Sequence, residues 1–192
     1  VLVTGEAGHG KTSLVEAAMA EVDHKYSVLF ASCEPLYLPA AFGPLFDLMD
    51  DLPPELRDQV ASGAGRMPLY AGMLDVIKND RVVLVLEDLH WADESTLGLV
   101  RYLGRRISVT DSVMIVTYRA EELDVNPRLR LLVADLGPDA VRIDAPALSL
   151  DGVRQLVADT IIDPQRLYEA TAGNPFFIEE LLRHPDLVVP PT

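Results

Sequence analysis

Val1-Leu2-Val3-Thr4-Gly5-Glu6-Ala7-Gly8-His9-Gly10-Lys11-Thr12 is the stretch that decides the architecture of this chain. It opens on an apolar run, continues as the pattern G-x-x-x-x-G-K-[ST], and leads into a helix-patterned segment. Glycines let a backbone curl until several N–H groups converge on one anion. The positive end of the helix that follows adds to the same field. The pattern predicts a phosphate-binding loop over Gly5, Glu6, Ala7, Gly8, His9, Gly10, Lys11, Thr12 and Ser13. In such a loop Lys11 reaches the β- and γ-phosphates of a nucleoside triphosphate, and the Thr12 hydroxyl is offered to Mg²⁺.

Outward from the loop, short runs rich in β-branched and apolar residues recur at Val1–Thr4, Ser27–Ala31, Val82–Leu86, Val113–Thr117 and Val141–Ile143. The first four are apolar nearly throughout, which predicts strands of a parallel sheet covered on both faces. Between them lie helical stripes, Leu14, Val15, Ala18, Met19 and Val22 in one and Leu99, Val100, Leu103 and Ile107 in another. Strand alternating with helix predicts a three-layer α/β domain with its ligand at the carboxyl ends of the strands. The stretch Glu34–Pro68 breaks this rhythm as an insertion rich in proline. Short helices are predicted in it near Leu45, Leu48 and Met49 and at Pro54–Val60, with another at Leu69–Ile77, and Ser62-Gly63-Ala64-Gly65 reads as a mobile link.

Beyond Leu150 only helical patterns remain. Val153, Leu156, Val157 and Ile161 form one stripe, a second helix starts with Asp163 as cap and Pro164 first, and a third starts near Asn174-Pro175 and carries Phe177, Ile178, Leu181 and Leu182. The expected division is an α/β nucleotide domain over 1–147 and a small helical lid over 148–192. Both ends read as cut from a longer protein, with Val188-Val189-Pro190-Pro191-Thr192 as a linker or the start of another element.

Composition narrows the function. The net charge of −14 opposes direct contact with nucleic acid or anionic lipid, and no apolar run is long enough for a membrane span. Only three lysines occur, Lys11, Lys25 and Lys78, and no basic run; Arg105-Arg106 is the densest basic spot and reads as a solvated helix edge. The single cysteine, Cys33, excludes an internal disulfide, suits a reducing cytoplasm, and ends an apolar run as a core residue would.

The run Val82-Val83-Leu84-Val85-Leu86-Glu87-Asp88 places two carboxylates at a strand end. Beside a phosphate loop, one such acid holds Mg²⁺ through water and the other polarises the attacking water. Position assigns Glu87 to the metal and Asp88 to the base, and the reverse assignment stays open. Asp93 fits as the cap of a helix starting near Glu94 or Ser95. Trp91 reads as core or interdomain packing, and His90 as a structural histidine.

Leu86-Glu87-Asp88-Leu89-His90-Trp91-Ala92-Asp93, then Thr117-Tyr118-Arg119, then Gly173-Asn174-Pro175-Phe176-Phe177 form a constellation in order. It resembles the STAND class of P-loop NTPases, the signal-transduction ATPases with numerous domains. More closely, it is similar to the ATPase module of large ATP-binding LuxR-type transcriptional regulators. That resemblance spans Gly5 to about Leu182 and implies a five-stranded parallel sheet followed by a helical lid. It implies ATP or ADP as ligand with Mg²⁺ held through Thr12, Glu87 and Asp88. It matches Arg119 to an arginine that senses the γ-phosphate, for which surface pairing with Glu121 or Glu122 is the alternative. It matches Pro175 to a proline packing near the adenine or ribose, although helix initiation explains the same residue. Glu87 departs from the family, many of whose members carry aspartate there.

The function so implied is a regulatory ATPase switch in a multidomain signalling or transcription protein. ATP would favour an open, self-associating state and ADP a closed one, with DNA reached only through other domains. Other readings are a small-molecule kinase with its acceptor site in Glu34–Pro68, and a remodelling ATPase with Arg105 or Arg106 as a finger in trans. A third is a nucleotide-bound scaffold that does not hydrolyse. The guanine-reading aspartate motif of many GTPases is not evident, and the sequence alone does not establish ATP over GTP.

Overall fold

Alternating side chains along the strands settle which face of the sheet each residue serves. In the computed structural model, which describes residues 1–35 and 41–184, the strands are β1 (Leu2–Gly5), β2 (Ser27–Ser32), β3 (Val82–Glu87), β4 (Val113–Arg119) and β5 (Arg142–Asp144). They form one all-parallel sheet in the order β2-β3-β4-β1-β5. The acidic strand β3 is thus separated from the loop strand β1 by β4.

Leu2, Leu29, Leu84, Leu86 and Val116 point to one face, where the large core lies. That face is covered by α2 (Gly43–Asp47), α3 (Pro54–Ala61), α4 (Arg66–Asn79), α5 (Glu94–Gly104), α6 (Glu122–Val125) and α7 (Pro127–Leu136). Val3, Val83 and Val85 point to the other face and meet Val15 of α1 (Lys11–Ala20). Right-handed crossovers explain the imbalance, because only the β1-to-β2 connection runs across the sheet in the opposite direction. The architecture is the expected three-layer α/β fold.

A lone helix on that second face leaves two sequence expectations uncorroborated. Leu14 and Ala18 of the first stripe are exposed, since α1 touches the sheet mainly through Val15. Strand β2 is covered on one face only, with Val28 and Phe30 exposed, because it lies at the sheet edge beyond the reach of α1. In contrast, β3 is buried along its whole length, and Leu99, Val100 and Leu103 of α5 are buried as the periodicity requires.

The insertion is better built than its composition suggests. Leu45, Leu48, Leu52, Leu56 and Val60 all enter the large core. Ser62–Gly65 is the turn between α3 and α4, closed by Ser62 N–H to Asp58 O (2.9 Å) and Ala64 N–H to Gln59 O (2.9 Å). The portion of the insertion at 36–40 and the tail Val188–Thr192 lie outside the described residues. Cys33 is buried, and burial, with the nearby carboxylates of Asp93, Asp88 and Asp47 adding, pushes its thiol up to about 12.

After β5 come α8 (Leu150–Leu156), α9 (Pro164–Thr171) and α10 (Pro175–Arg183). Their buried residues Val153, Val157, Leu167 and Ile178 form a small core of their own. Asp163 and Asn174 cap their helices as predicted, accepting from Gln165 N–H (2.9 Å) and Phe176 N–H (3.0 Å). Leu156 and Ile161 of the expected stripe are exposed, as is Phe177. Helix α8 stops at Leu156, so Ile161 falls outside its phase, and the inward line is completed from α9 and α10 instead.

Candidate nucleotide site

The phosphate loop leaves its amides unclaimed. Helix α1 begins at Lys11 behind a left-handed Gly10, with no side chain capping it and no acidic residue in its first turn. Its backbone ladder starts with Leu14 N–H donating to Gly10 O (2.9 Å), so the N–H groups of Lys11, Thr12 and Ser13 stand ahead of the ladder. An exposed acid or cap would normally satisfy such a terminus; an anion can do so here. Lys11 is 7% exposed, and its Nζ donates to Gly5 O and Glu6 O, both at 2.9 Å. Burial lowers its pKa, Asp88 raises it, and Arg119 lowers it.

Strand register brings the other charges to this loop. Gly5 pairs with Arg119 across β1 and β4, and β4 is flanked on its other side by β3. The carboxyl ends of the three strands therefore present loop, arginine and acids side by side. Asp88, at the turn after β3, has φ 52°, a left-handed value that aspartate tolerates better than most residues. Its N–H donates to Thr117 Oγ1 of β4 (2.9 Å), and its carbonyl accepts from Trp91 N–H (2.8 Å). Its side chain is 40% exposed.

Glu87 is in a different situation, 5% exposed with its Oε1 buried and without a hydrogen-bond partner. Burial pushes its carboxyl pKa up, the neighbouring Thr12 hydroxyl opposes that, and Asp88 adds to it. An orphaned carboxylate oxygen beside the Thr12 hydroxyl is the donor set that suits a hard cation. Among the described residues no cluster of three or more His, Cys, Asp or Glu could hold a metal alone. Mg²⁺ commonly takes one or two carboxylates and fills its other positions with water and phosphate, so these residues fit it.

A cleft of about 240 Å³ is lined by Ala7, Gly8, Gly10, Lys11, Thr12 and Ser13, by Asp88 and Arg119, and by Pro175, Phe176 and Glu179 from α10. Gly5, Glu6 and His9 do not line it. Gly5 and Glu6 supply the carbonyls that hold Lys11, and the His9 Nδ1 lies 3.2 Å from Ala145 O. No carboxylate among the described residues lies within ion-pair distance of Arg119, so the alternative pairing with Glu121 or Glu122 is absent.

Helix α10 and its cap are fastened to the loop itself. Asn174 Nδ2 donates to Ala7 O (3.0 Å) and Phe176 N–H donates to Gly8 O (3.2 Å). Gly8, at φ +78°, makes room for this approach, since a Cβ there would sit 2.7 Å from Asn174 Oδ1. Sequence reasoning read Asn174 only as a cap and missed Asn174, Phe176 and Glu179 as cleft neighbours. The Gly-Asn-Pro-Phe-Phe segment carries the signal for Asn174 and Phe176, and no motif marks Glu179.

Gly173 ties the segment before α10 back to Leu148, ahead of α8. It has φ +77°, a Cβ there would lie 2.1 Å from Leu148 O, and its own carbonyl accepts from Leu148 N–H (2.8 Å). Gly173→Ala should destabilise the chain by about 2–3 kcal/mol, the range for a strained positive-φ substitution with a backbone clash. Thermal unfolding, together with protease cutting between α8 and α10, measures it; an unchanged melting temperature would show that the backbone here relaxes freely.

Several neighbouring residues differ from expectation or confirm it. Trp91 is 37% exposed and tilts against His90 (centroids 5.1 Å apart), so it is not a core residue. The short turn Leu89–Trp91 turns His90 inward and leaves the next ring outside. Asp93 caps α5 as predicted, accepting from Ser95 N–H (2.7 Å), Thr96 N–H (3.1 Å) and the Thr96 hydroxyl, and it also accepts Phe42 N–H (3.1 Å) from the insertion. Arg105 is held by Asp135 through Nε (3.0 Å) and Nη2 (2.5 Å), and Arg106 lies 3.8 Å over the Tyr102 ring. Hydrogen bonds from Arg105 and then Arg101 hold the Asp135 carboxyl down at about 2. Both arginines thus make contacts within the chain.

Fold and loop together define the P-loop NTPase class, with an all-parallel five-stranded sheet and the loop at the end of its fourth strand in spatial order. Residues 1–116 match the family described as the AAA ATPase domain, and the chain belongs to that family. No curated protein matches the sequence. Among solved structures, the Walker-type ATPase of Pyrococcus abyssi is similar with a TM-score of 0.62 at 14% identity, covering 97% of this chain and 63% of its own. The ORC2 protein of Aeropyrum pernix, solved as ADPNP-ADP complexes, gives 0.55 at 13% identity, covering 96% and 55%. A STAND protein with a tetratricopeptide repeat sensor from Pyrococcus horikoshii gives 0.57 at 18% identity, covering 95% and 30%. This chain thus spans less than two thirds of the length of each of these structures. No helix among the described residues is long and apolar enough to cross a membrane.

Proposed function

We propose that this chain is the nucleotide-operated switch of a larger cytoplasmic signalling or transcription regulator of the LuxR type, binding ATP and ADP and hydrolysing ATP slowly. The observation that carries this reading is the pair of hydrogen bonds joining Asn174 and Phe176 of the lid to the carbonyls of Ala7 and Gly8. A phosphate loop that rearranges around its ligand must then move, or release, the lid. Residues 1–147 act as the nucleotide domain and residues from 148 onward as the lid.

In this reading the amides of the loop and the Lys11 ammonium grip the polyphosphate. Thr12 and Glu87 would hold Mg²⁺, which would neutralise charge on the phosphates. Asp88 orients a water and takes its proton while the water oxygen bonds to the γ-phosphorus. The bond from that phosphorus to the bridging oxygen breaks, and its electron pair leaves on ADP. Arg119 registers the presence of the γ-phosphate, and Pro175 packs near the base or ribose. With a net charge of −14, contact with DNA belongs to other parts of the protein, and self-association follows the nucleotide state.

A switch requires that two ligands favour two lid positions with different affinity. Titration with ATP, ADP and GTP, paired with amide exchange over 148–184, tests this. Both adenine nucleotides should bind more tightly than GTP, and lid protection should differ between ATP and ADP. Equal protection in the two states would remove the switch; absence of any nucleotide binding would remove the site.

A further inference from the structure

One buried group close to this site has no work in the account above. His90 has no exposed side-chain surface, and both of its ring nitrogens are buried without a hydrogen-bond partner. A phenyl ring would fill the same space without leaving a buried donor and acceptor unsatisfied, which proteins rarely tolerate. Asp88 Oδ1 lies 3.8 Å from Nδ1, beyond hydrogen-bond length. The Asp88 backbone cannot drift, because its N–H is held by Thr117 Oγ1 and its carbonyl by Trp91 N–H. On the other side, the Trp91 ring lies against the imidazole and Asn126 Nδ2 reaches the His90 carbonyl at 3.5 Å.

We propose that His90 is the positioning residue for Asp88: when nucleotide fills the cleft, the carboxylate closes onto Nδ1–H, and its second oxygen is thereby aimed at the attacking water. An aspartate that is 40% exposed samples several rotamers, and only some present an oxygen in line with a γ-phosphate. A neutral imidazole fixed by burial selects one of them. The same contact satisfies Nδ1 in the loaded state, which the unliganded chain leaves without a partner. This inference rests on the nucleotide-site reading and goes beyond it in assigning His90 a part in turnover rather than in binding.

The test uses a non-hydrolysable ATP analogue with Mg²⁺, and ¹⁵N spectra of the histidine rings, which are assignable because the chain has four histidines. The His90 signals should shift to those of a hydrogen-bonded Nδ1–H on binding, and should stay put in Asp88→Ala although the analogue still binds. His90→Phe should keep its melting temperature and its KM for ATP within about twofold while kcat falls about tenfold, with partial recovery in His90→Asn. Ring signals that do not move although the analogue binds would overturn the proposal, as would wild-type turnover in His90→Phe. If turnover is too slow to measure, the ring signals decide. Failure of the wild-type chain to bind the analogue would overturn the nucleotide site instead, and this proposal with it.

Discussion

Lys11→Ala should weaken ATP and ADP binding by about 100-fold, with little change in the unliganded fold. The Lys11 Nζ is the one ammonium in the cleft, and it rests on the Gly5 and Glu6 carbonyls at 2.9 Å, poised to be shared with phosphate oxygens. Charge-assisted hydrogen bonds contribute about 1.5–3 kcal/mol each, and about 1.4 kcal/mol is a factor of ten. Losing the ammonium relieves the burial of a charge while leaving two carbonyls to find water, so the stability terms oppose each other. Calorimetric titration reads the affinity and thermal unfolding the control. Unaltered affinity in this variant would remove the central assignment.

Asp88→Asn should show the opposite division, with binding retained and phosphate release reduced by about 10²–10⁴-fold, the contribution of a positioned general base. Position in the sequence assigns Glu87 to the metal and Asp88 to the base with the reverse open, and the two acids sit in different surroundings. Asp88 faces the cleft and is partly exposed, whereas Glu87 is buried against Thr12 with an unpartnered oxygen. A buried acid beside a hydroxyl suits a cation, and an acid facing the cleft can reach a water. Glu87→Gln should therefore alter the Mg²⁺ dependence of turnover first. If Asp88→Asn hydrolyses at the wild-type rate and Glu87→Gln does not, the two roles are reversed.

Much of this was legible in one dimension. The loop is local, because glycines and a lysine at fixed spacing act through backbone they themselves shape. Capping at Asp93, Asp163 and Asn174 is also local, since each side chain reaches an amide two or three residues on. The alternation of apolar runs and helical stripes gave the layer architecture, because burial on a sheet or helix has a period that composition must follow. Errors fell where burial depends on neighbours distant in sequence. Leu14, Val28 and Phe30 carry the apolar pattern of covered residues yet are exposed, since a single helix serves their face of the sheet. Of the two expectations for Trp91, core or interdomain packing, the core one fails, because only the direction of a three-residue turn decides that it faces outward while His90 faces in.

The sequence by itself determined that the chain carries a phosphate loop on a parallel α/β sheet, with an acid pair, an arginine and a helical lid to follow. Each of those features is written in residues a few positions apart. Only the tertiary structure decided that β4 lies between β1 and β3, setting Arg119 beside Gly5 and Asp88 across the same cleft. It alone decided that the lid grips the loop through Asn174 and Phe176, and that His90 lies sealed beside Asp88 with no partner. The reason is physical: strand order, register and the docking of one helix on another are set by the packing of whole faces, which no short window of residues records.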